Sequence, residues 1–139
     1  MKLYIARHGQ TTWNVDDLVC GRADVPLTEL GHQQAQKLAQ SSLDKKIDVI
    51  LCSPMLRARQ TAQAVSDAIG VPIQIDDRLM EFDFGSFDGT SRFGEEFVWL
   101  RAQMPTRFPG GESGFDLAYR VYSLLSDLGH EVSDSLYLR

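Results

Sequence analysis

Cysteine and histidine are scarce in this sequence, and their spacing excludes the common metal and disulfide frameworks. The 139 residues include two cysteines, Cys20 and Cys52, and three widely separated histidines. They form no Cys-x-x-Cys, His-x-x-x-His or mixed cluster, and no Asp-x-Asp step occurs. We therefore expect no metal site and no cofactor. Two cysteines without a framework suit a protein of the reducing cytoplasm.

Long apolar runs and blocks of positive charge are missing as well. No apolar run approaches the ~18 residues of a membrane-spanning helix, so we expect no membrane partner. Lys and Arg number 14 against 19 Asp and Glu, for a net charge of −5 and a pI near 5.1. Because a nucleic-acid binder needs a basic face, we expect no nucleic-acid partner. Any anion site must be built locally from a few converging arginines.

The first half of the chain alternates short apolar strands with a helix. Residues Lys2–Ala6 predict a strand, and the polar residues 12–26 predict a loop. Thr28 is expected to cap a helix that extends to about Leu43. The side chains of this helix expected to face the core are Leu30, Ala35, Leu38 and Ala39. The unbroken apolar run within Asp48–Cys52 predicts a second strand, buried on both faces.

A strongly amphipathic helix follows Ser53-Pro54 and is expected to end at Gly70. Its apolar stripe consists of Ala58, Ala62, Val65 and Ile69. Residues 71–75 predict a third strand, residues 76–92 a loop rich in Asp, Phe and Gly, and residues 95–104 a further helix.

The last helix is expected to begin at a capping box of Ser113 and Asp116 and to end at Gly129. Its core positions are Leu117, Val121, Leu124, Leu125 and Leu128. Residues 135–138 predict a last strand. Strands that alternate with helices predict an α/β fold over residues 1–139, a single domain in which a three-layer α/β/α sandwich holds a mainly parallel central sheet. In such sheets ligands bind at the carboxyl ends of the strands.

Four segments carry the chemical signal, and two of them directly follow the first two strands. Their sequences are RHGQTTWN at residues 7–14, SPMLRARQTA at 53–62, LMEFDFGSFDG at 79–89 and PGGES at 109–113. Together they resemble, in order and spacing, the signature segments of the histidine phosphatase superfamily, the phosphoglycerate mutase-like proteins. The resemblance implies a phosphoglycerate mutase-like fold and phosphoryl transfer through a histidine, with a small phosphorylated metabolite as partner.

The physical chemistry of phosphoryl transfer supports the same residues. A neutral histidine nitrogen can attack phosphorus and form a phosphohistidine, and His8 lies where the first strand ends. Arginine stays charged, and its planar fork binds two phosphate oxygens. This suits Arg7, beside the nucleophile, and Arg57, in the first turn of the next helix. Gly9 has no side chain to obstruct approach to the ring. The resemblance gives His8, Arg7 and Arg57 these same roles.

Glu81 is the expected proton donor. The leaving oxygen needs a proton, which a carboxylic acid partly shielded from water can supply before it activates the attacking water. The resemblance places the family's proton donor at this position. The alternative is a solvated acidic loop, since Asp76, Asp77 and Asp83 lie close in sequence.

Weaker signals surround these four residues. By resemblance, the expected substrate contacts are Gln10, Thr11, Asn14, Cys20 and Gly21. His32 and Arg59 are interpreted as surface or structural residues. Six aromatic side chains are expected either to wall a pocket over the phosphate or to form the small core of a lid. They are Phe82, Phe84, Phe87, Phe93, Phe97 and Trp99.

The family's second essential histidine has no match at its expected place. In the family it follows a late apolar strand in a His-Gly step, whereas this sequence stops after that strand, at Arg139. His130 precedes the strand. We therefore expect a member of the family that is incomplete at its C-terminus, either as a fragment of a longer enzyme or as a naturally short form. It should bind phosphate near His8 and turn over slowly. Apolar surface and a strand edge left uncovered would favour a homodimer.

Three functions fit these residues. The first is a phosphatase that hydrolyses a small phosphomonoester through a phosphohistidine at His8. The second is a cofactor-dependent phosphoglycerate mutase, which would return the phosphoryl group to its substrate. Such mutases are similar but have longer segments that close over the intermediate, and residues 21–51 and 89–109 leave little room for them. The third is a non-catalytic module that binds a phosphorylated ligand through Arg7 and Arg57.

Overall fold

A four-stranded parallel sheet forms the centre of the protein. A computed structural model describes residues 2–131 and 134–138, with side chains described up to Gly129. Within these residues the strands are β1 (Lys2–Ala6), β2 (Val49–Cys52), β3 (Ile73–Ile75) and β4 (Asp134–Leu138). Their order in the sheet is β1-β4-β2-β3, and each neighbouring pair is parallel. The predicted α/β fold with a parallel sheet is confirmed.

The register of the sheet brings the ends of β1 and β2 to the same level. β4 lies between them, and its residue Leu138 pairs with Ala6 of β1 and with Cys52 of β2. The segments that begin at Arg7 and Ser53 therefore leave the sheet at one edge, two strand spacings apart, or about 10 Å.

Five α-helices are described. They are α1 (Thr12–Val15), α2 (Glu29–Ser42), α3 (Leu56–Ile69), α4 (Glu95–Arg101) and α5 (Gly114–Glu131). Helices α2 and α3 pack against each other on one face of the sheet. On the other face, α5 contributes Leu124 and Leu128 to a cluster with Leu51 of β2. Helices on both faces make the predicted three layers.

The face of α2 that packs against the core consists of small residues. Its buried positions are Gly31, Ala35, Ala39 and Ser42, and the hydroxyl of Thr28 caps the helix as predicted. The prediction for Leu30 was wrong, because this side chain is 46% exposed. The buried stripe begins at Gly31. Neighbouring residues on a helix point about 100° apart, so Leu30 lies outside this stripe.

Several predicted boundaries differ from the structure. The expected loop at 12–26 contains α1, whose N-cap is Thr11, and its Leu18 forms a single bridge with Ser91. Strand β3 begins at Ile73 rather than at residue 71. Helix α4 ends at Arg101, before the predicted Met104. Helix α5 continues through Gly129 to Glu131, because Gly129 does not adopt the left-handed conformation that ends a helix. By contrast, Gly70 has φ 75° and ends α3 as predicted.

The aromatic residues form a second, smaller core. Phe82, Phe84 and Phe87 pack around Phe97 and Phe108, with ring centroids 4.8–5.9 Å apart. Phe108 was not predicted, and Phe93 and Trp99 are exposed rather than part of this core. Among the helices described, none has the length and apolar content needed to cross a membrane.

Candidate active site

His8 lies directly after β1, half-buried, with one ring nitrogen fixed. Nδ1 lies 2.7 Å from the carbonyl oxygen of Gly9. Because a carbonyl oxygen only accepts hydrogen bonds, Nδ1 must carry the proton, and the neutral ring keeps its lone pair on Nε2. The pKa of His8 is lowered, first by burial and then by the charges of Arg57 and Arg7. The hydrogen bond to the Gly9 carbonyl and the charge of Glu81 act in the opposite direction but do not outweigh these effects. The ring is therefore held as a neutral nucleophile.

Arg57 is buried beside His8. It lies in the first turn of α3 and is only 1% exposed. Nη1 donates to the carbonyl oxygen of Ala23 at 2.9 Å, and Nη2 donates to that of Gly21 at 2.7 Å. A guanidinium group has five N–H donors, so these two bonds fix its plane and leave donors for an anion. Arg57, His8 and Glu81 line the same small cavity.

Asp88 binds the loop whose carbonyl groups bind Arg57. Its carboxylate accepts hydrogen bonds from three successive backbone N–H groups, of Gly21, Arg22 and Ala23, at 2.6, 2.9 and 3.0 Å. The carbonyl groups of the same loop then point to Arg57. Asp88 was not among the predicted site residues, because its partners lie more than sixty residues away and no local pattern connects them.

Glu81 lies half-buried just after the short 3-10 turn Asp77–Leu79. Its side chain accepts a hydrogen bond from the N–H of Phe82 at 2.9 Å. The charge of Glu81 raises the pKa of His8, and both residues line one small cavity with Arg57. The role of Glu81 as proton donor stays a prediction.

A wider cavity of about 240 Å³ opens beside His8 and Glu81. Three candidates from the sequence, Arg7, Asn14 and Cys20, line it. Within the described residues, the guanidinium group of Arg7 has no hydrogen bond or ion pair, so it is available to an anion. The lining residues that the sequence analysis did not predict for this site are Leu18, Val19, Arg92 and Arg101; Phe84 and Phe97 complete the apolar wall.

Arg92 and Arg101 add positive charge to the rim of this cavity. Arg92 forms an ion pair with Asp17, and its guanidinium lies 5.0 Å from the centroid of the Phe93 ring. No motif pointed to either residue, because a single arginine in a loop or short helix carries no local signal.

Asn14 and Thr11 have different places in the site. Asn14 Oδ1 accepts the N–H of Thr11, which leaves its amide N–H groups to face the cavity. Thr11 is fully buried, and its hydroxyl accepts the N–H of Asn14 to complete a capping box. The expected substrate contact at Thr11 is thus corrected to a structural one. Burial foremost raises the pKa of the Cys20 thiol, so Cys20 faces the cavity as a neutral group.

Gln10 and Gly21 do not line this cavity. The side-chain oxygen of Gln10 accepts the hydroxyl of Thr28 at 2.9 Å. Gln10 lines a separate, open groove together with Arg7, His8 and Asn14. Gly21 is buried, and a Cβ there would lie 2.6 Å from Asp88 Oδ1. Its contribution is the carbonyl group that binds Arg57, rather than a direct substrate contact.

Gly9 also has a different function from the expected one. Its N–H donates to the buried Thr61 hydroxyl at 3.1 Å. A Cβ at Gly9 would lie 2.3 Å from the carbonyl oxygen of Gly31. The glycine is therefore needed for close packing of the nucleophile loop against α2, not for access to the ring.

Among the described residues, no group of three or more His, Cys, Asp or Glu side chains is placed to hold a metal ion. His32 and Arg59 are exposed on α2 and α3. The side chain of His130 lies outside the described residues.

Comparisons with known proteins identify the family of this chain. A family model described as the histidine phosphatase superfamily, branch 1, matches residues 3–137. A Hydrogenobacter thermophilus protein assigned as a phosphoserine phosphatase is 37% identical over 134 residues, which cover 91% of this chain and 66% of that protein. An Enterobacter protein assigned as phosphoglycerate mutase GpmB is also 37% identical over 134 residues, covering 91% of this chain and 62% of that protein.

A solved structure is similar over almost the whole chain. The α-ribazole phosphatase of Shigella flexneri is 31% identical, with a TM-score of 0.86 over 99% of this chain and 73% of that one. The chain spans a little under two thirds of the length of the two relatives above. On the family match, the chain belongs to the histidine phosphatase superfamily, branch 1.

Proposed function

We propose that this protein hydrolyses small phosphomonoesters through a phosphohistidine formed on His8. The observation that carries the proposal is the Nδ1–H bond from His8 to the Gly9 carbonyl, which leaves Nε2 as the nucleophile. Arg57 and Glu81 line one small cavity with this ring, and Arg7 lines the adjoining one. Together these groups supply a nucleophile, positive charge for the phosphoryl oxygens and a proton donor, which transfer through a phosphohistidine uses.

In the first step, Nε2 of His8 attacks phosphorus while the bond from phosphorus to the ester oxygen breaks. The electron pair of that bond leaves with the alcohol oxygen, which takes a proton from the carboxyl group of Glu81. Arg7 and Arg57 bind the phosphoryl oxygens, whose negative charge persists throughout the transfer. The products of this step are an alcohol, a phosphohistidine and an ionised Glu81.

In the second step, water attacks the phosphohistidine. The Glu81 carboxylate accepts a proton from the water, and the bond between phosphorus and Nε2 breaks. The electron pair returns to the ring, which is again neutral and bonded to the Gly9 carbonyl. Inorganic phosphate leaves, and Glu81 is protonated for the next cycle.

The cavity favours a small substrate with a partly apolar alcohol group. Its volume of about 240 Å³ includes a wall of Leu18, Phe84 and Phe97, and the arginines 92 and 101 lie at the rim. The two similar proteins that are called phosphatases are named for phosphoserine and for α-ribazole. Their alcohols differ, so we expect the phosphate site to be shared and the wall to select the alcohol.

The direct test is hydrolysis of p-nitrophenyl phosphate together with capture of the acid-labile, base-stable phosphohistidine. We expect the His8→Ala variant to form no phosphoprotein and to lose at least about 1,000-fold in kcat/KM. His32→Ala is the matched control, because His32 is exposed on α2. Equal activity of wild type and His8→Ala would contradict the proposal. The wild-type rate also tests the expectation of slow turnover.

A mutase is the second candidate, favoured by the relative assigned as phosphoglycerate mutase. Incubation with 2,3-bisphosphoglycerate and 3-phosphoglycerate separates the two activities. Isomerisation without net phosphate release would identify a mutase, whereas release of free phosphate would support the hydrolase. A non-catalytic module would instead bind phosphate equally well in wild type and His8→Ala, with no turnover in either.

A further inference from the structure

A partly buried ion pair between Arg120 and Glu112 lies beneath the loop that carries Glu81. The guanidinium group of Arg120, on α5, donates from Nη1 to the carbonyl oxygens of Arg78 and Met80 at 2.7 and 2.6 Å. Nη2 donates to the carbonyl oxygen of Glu81 at 3.1 Å and to Oε1 of Glu112 at 2.6 Å. Nε donates to the other carboxylate oxygen of Glu112 at 3.1 Å.

These five bonds use all five N–H donors of the guanidinium group. Arg120 therefore has none left for a phosphate, which distinguishes it from Arg7 and Arg57. Three of the bonds go to backbone carbonyls within a stretch of four residues, and one of those carbonyls belongs to Glu81 itself. The group acts on the shape of the loop, not on a ligand.

Glu112 fixes the other end of the same loop. Its Oε1 accepts the N–H of Asp83 at 3.0 Å, and its own N–H donates to the Asp83 carbonyl at 2.9 Å. Burial by itself would raise the pKa of the Glu112 carboxyl, but hydrogen bonds from Arg120 and Asp83 and the charges of Arg120 and Arg22 hold this pKa below its usual range. The carboxylate therefore stays ionised and keeps its donors.

Both partners are well shielded from water, with side chains 15% exposed for Arg120 and 9% for Glu112. Shielding strengthens a charged hydrogen bond and makes a lost partner costly. Glu81 thus lies between two fixed points, a carbonyl bound to Arg120 on one side and Asp83 bound to Glu112 on the other.

We propose that Arg120 and Glu112 are positioning residues that fix the backbone around Glu81, so that its carboxyl group stays beside His8 and delivers the proton to the leaving group. This inference rests on the proposed function. It predicts a defect that depends on the leaving group, because an alkoxide needs a proton to leave and p-nitrophenolate, a weak base, hardly does.

The test compares Arg120→Lys with Glu81→Gln and with Arg107→Ala. Arg107 is a matched control, because its ion pair with Asp116 is exposed. We expect the ratio of kcat/KM for p-nitrophenyl phosphate to that for an alkyl phosphate to rise at least about tenfold in Arg120→Lys and Glu81→Gln. The ratio in Arg107→Ala should equal that of wild type. An equal fall for both substrates in Arg120→Lys would overturn the proposal.

A second measurement needs no turnover. Because the charge of Glu81 raises the pKa of His8, displacement of the carboxylate should lower that pKa. NMR titration of the His8 ring should show the same downward shift in Arg120→Lys and Glu81→Gln, and none in Arg107→Ala. A wild-type pKa in Arg120→Lys, beside a lowered pKa in Glu81→Gln, would refute the positioning role even if hydrolysis fails.

The folding of each variant is checked on the samples used for these measurements. Glu112→Gln removes the charge but keeps the shape of the side chain, so it serves as a second variant if Arg120→Lys does not fold. It should reproduce the shift of the His8 pKa and the change in the substrate ratio. A folded Glu112→Gln protein with wild-type values for both would also reject the proposal.

Discussion

Replacement of Gly31 by alanine tests how the nucleophile loop is packed. Gly31 is buried in the first turn of α2, and a Cβ there would lie 2.2 Å from the carbonyl oxygen of Gln10 and 3.0 Å from its nitrogen. The contact is reciprocal, since a Cβ at Gly9 would meet the carbonyl oxygen of Gly31 at 2.3 Å. The two glycines therefore let the backbone after His8 lie directly on the helix.

The structure predicts opposite signs for the same substitution at two helical sites. Gly→Ala inside a helix ordinarily stabilises by up to about 1 kcal/mol. Among the described residues, and apart from the backbone of α5 itself, no atom lies within 4 Å of a Cβ added at Gly129. At Gly31 the Cβ is about 1 Å or more too close to a backbone oxygen that cannot rotate away. Overpacking of this kind costs roughly 1–3 kcal/mol, so Gly31→Ala should destabilise the protein.

Urea unfolding followed by circular dichroism measures both effects. We expect the free energy of unfolding to fall by about 1–3 kcal/mol in Gly31→Ala and to rise by up to about 1 kcal/mol in Gly129→Ala. The melting temperatures should differ accordingly, by several degrees. Equal or greater stability of Gly31→Ala relative to Gly129→Ala would refute the argument from close packing.

Three further predictions concern the charges at the site. The pKa of His8 measured by NMR should lie below 6.5. As the pH falls, the unfolded chain is therefore protonated at His8 before the folded protein is, so the contribution of His8 to the free energy of unfolding, complete above pH 6.5, should decline. In urea titrations, His8→Gln should flatten this dependence of stability on pH. Arg7→Ala should weaken vanadate binding about 10- to 150-fold in calorimetry, since one charged hydrogen bond is worth about 1.5–3 kcal/mol. Asp88→Ala should weaken vanadate binding at least about tenfold, although Asp88 touches no ligand, whereas replacement of the exposed Asp67 by alanine should leave the affinity unchanged. An unchanged affinity in Asp88→Ala would show that Arg57 keeps its position without the loop.

Local signals in the sequence were sufficient for most of the fold. Thr28 caps α2 and Gly70 ends α3 because each acts on backbone groups within a few residues of itself. Leu30 was predicted wrongly for a tertiary reason, because the packing of α2 on α3 selects a stripe of small residues. Gly129 was predicted wrongly because a glycine permits the left-handed conformation that ends a helix but does not require it, and its φ is not positive.

The candidate site divides in a similar way. His8, Arg7, Arg57 and Glu81 stand in motifs that resemble a known family, and the structure brings them to adjoining cavities. Residues that act on this site from a distance had no such signal. Asp88 binds a loop more than sixty residues earlier in the chain, and neither its type nor its spacing reveals that partner.

The arrangement of acidic residues explains how a protein of net charge −5 can present a positively charged site. The carboxylate of Asp88 is covered by three backbone N–H groups, and that of Glu112 by Arg120 and the Asp83 N–H. Each of these acids is bonded to groups of the loops, and neither lines the cavities beside His8. Because Coulomb interactions weaken with distance and with paired charge, a bound phosphate would interact mainly with Arg7 and Arg57. The acidic residues thus make the positive site possible, since they fix the loops that hold Arg57 and Glu81 in place.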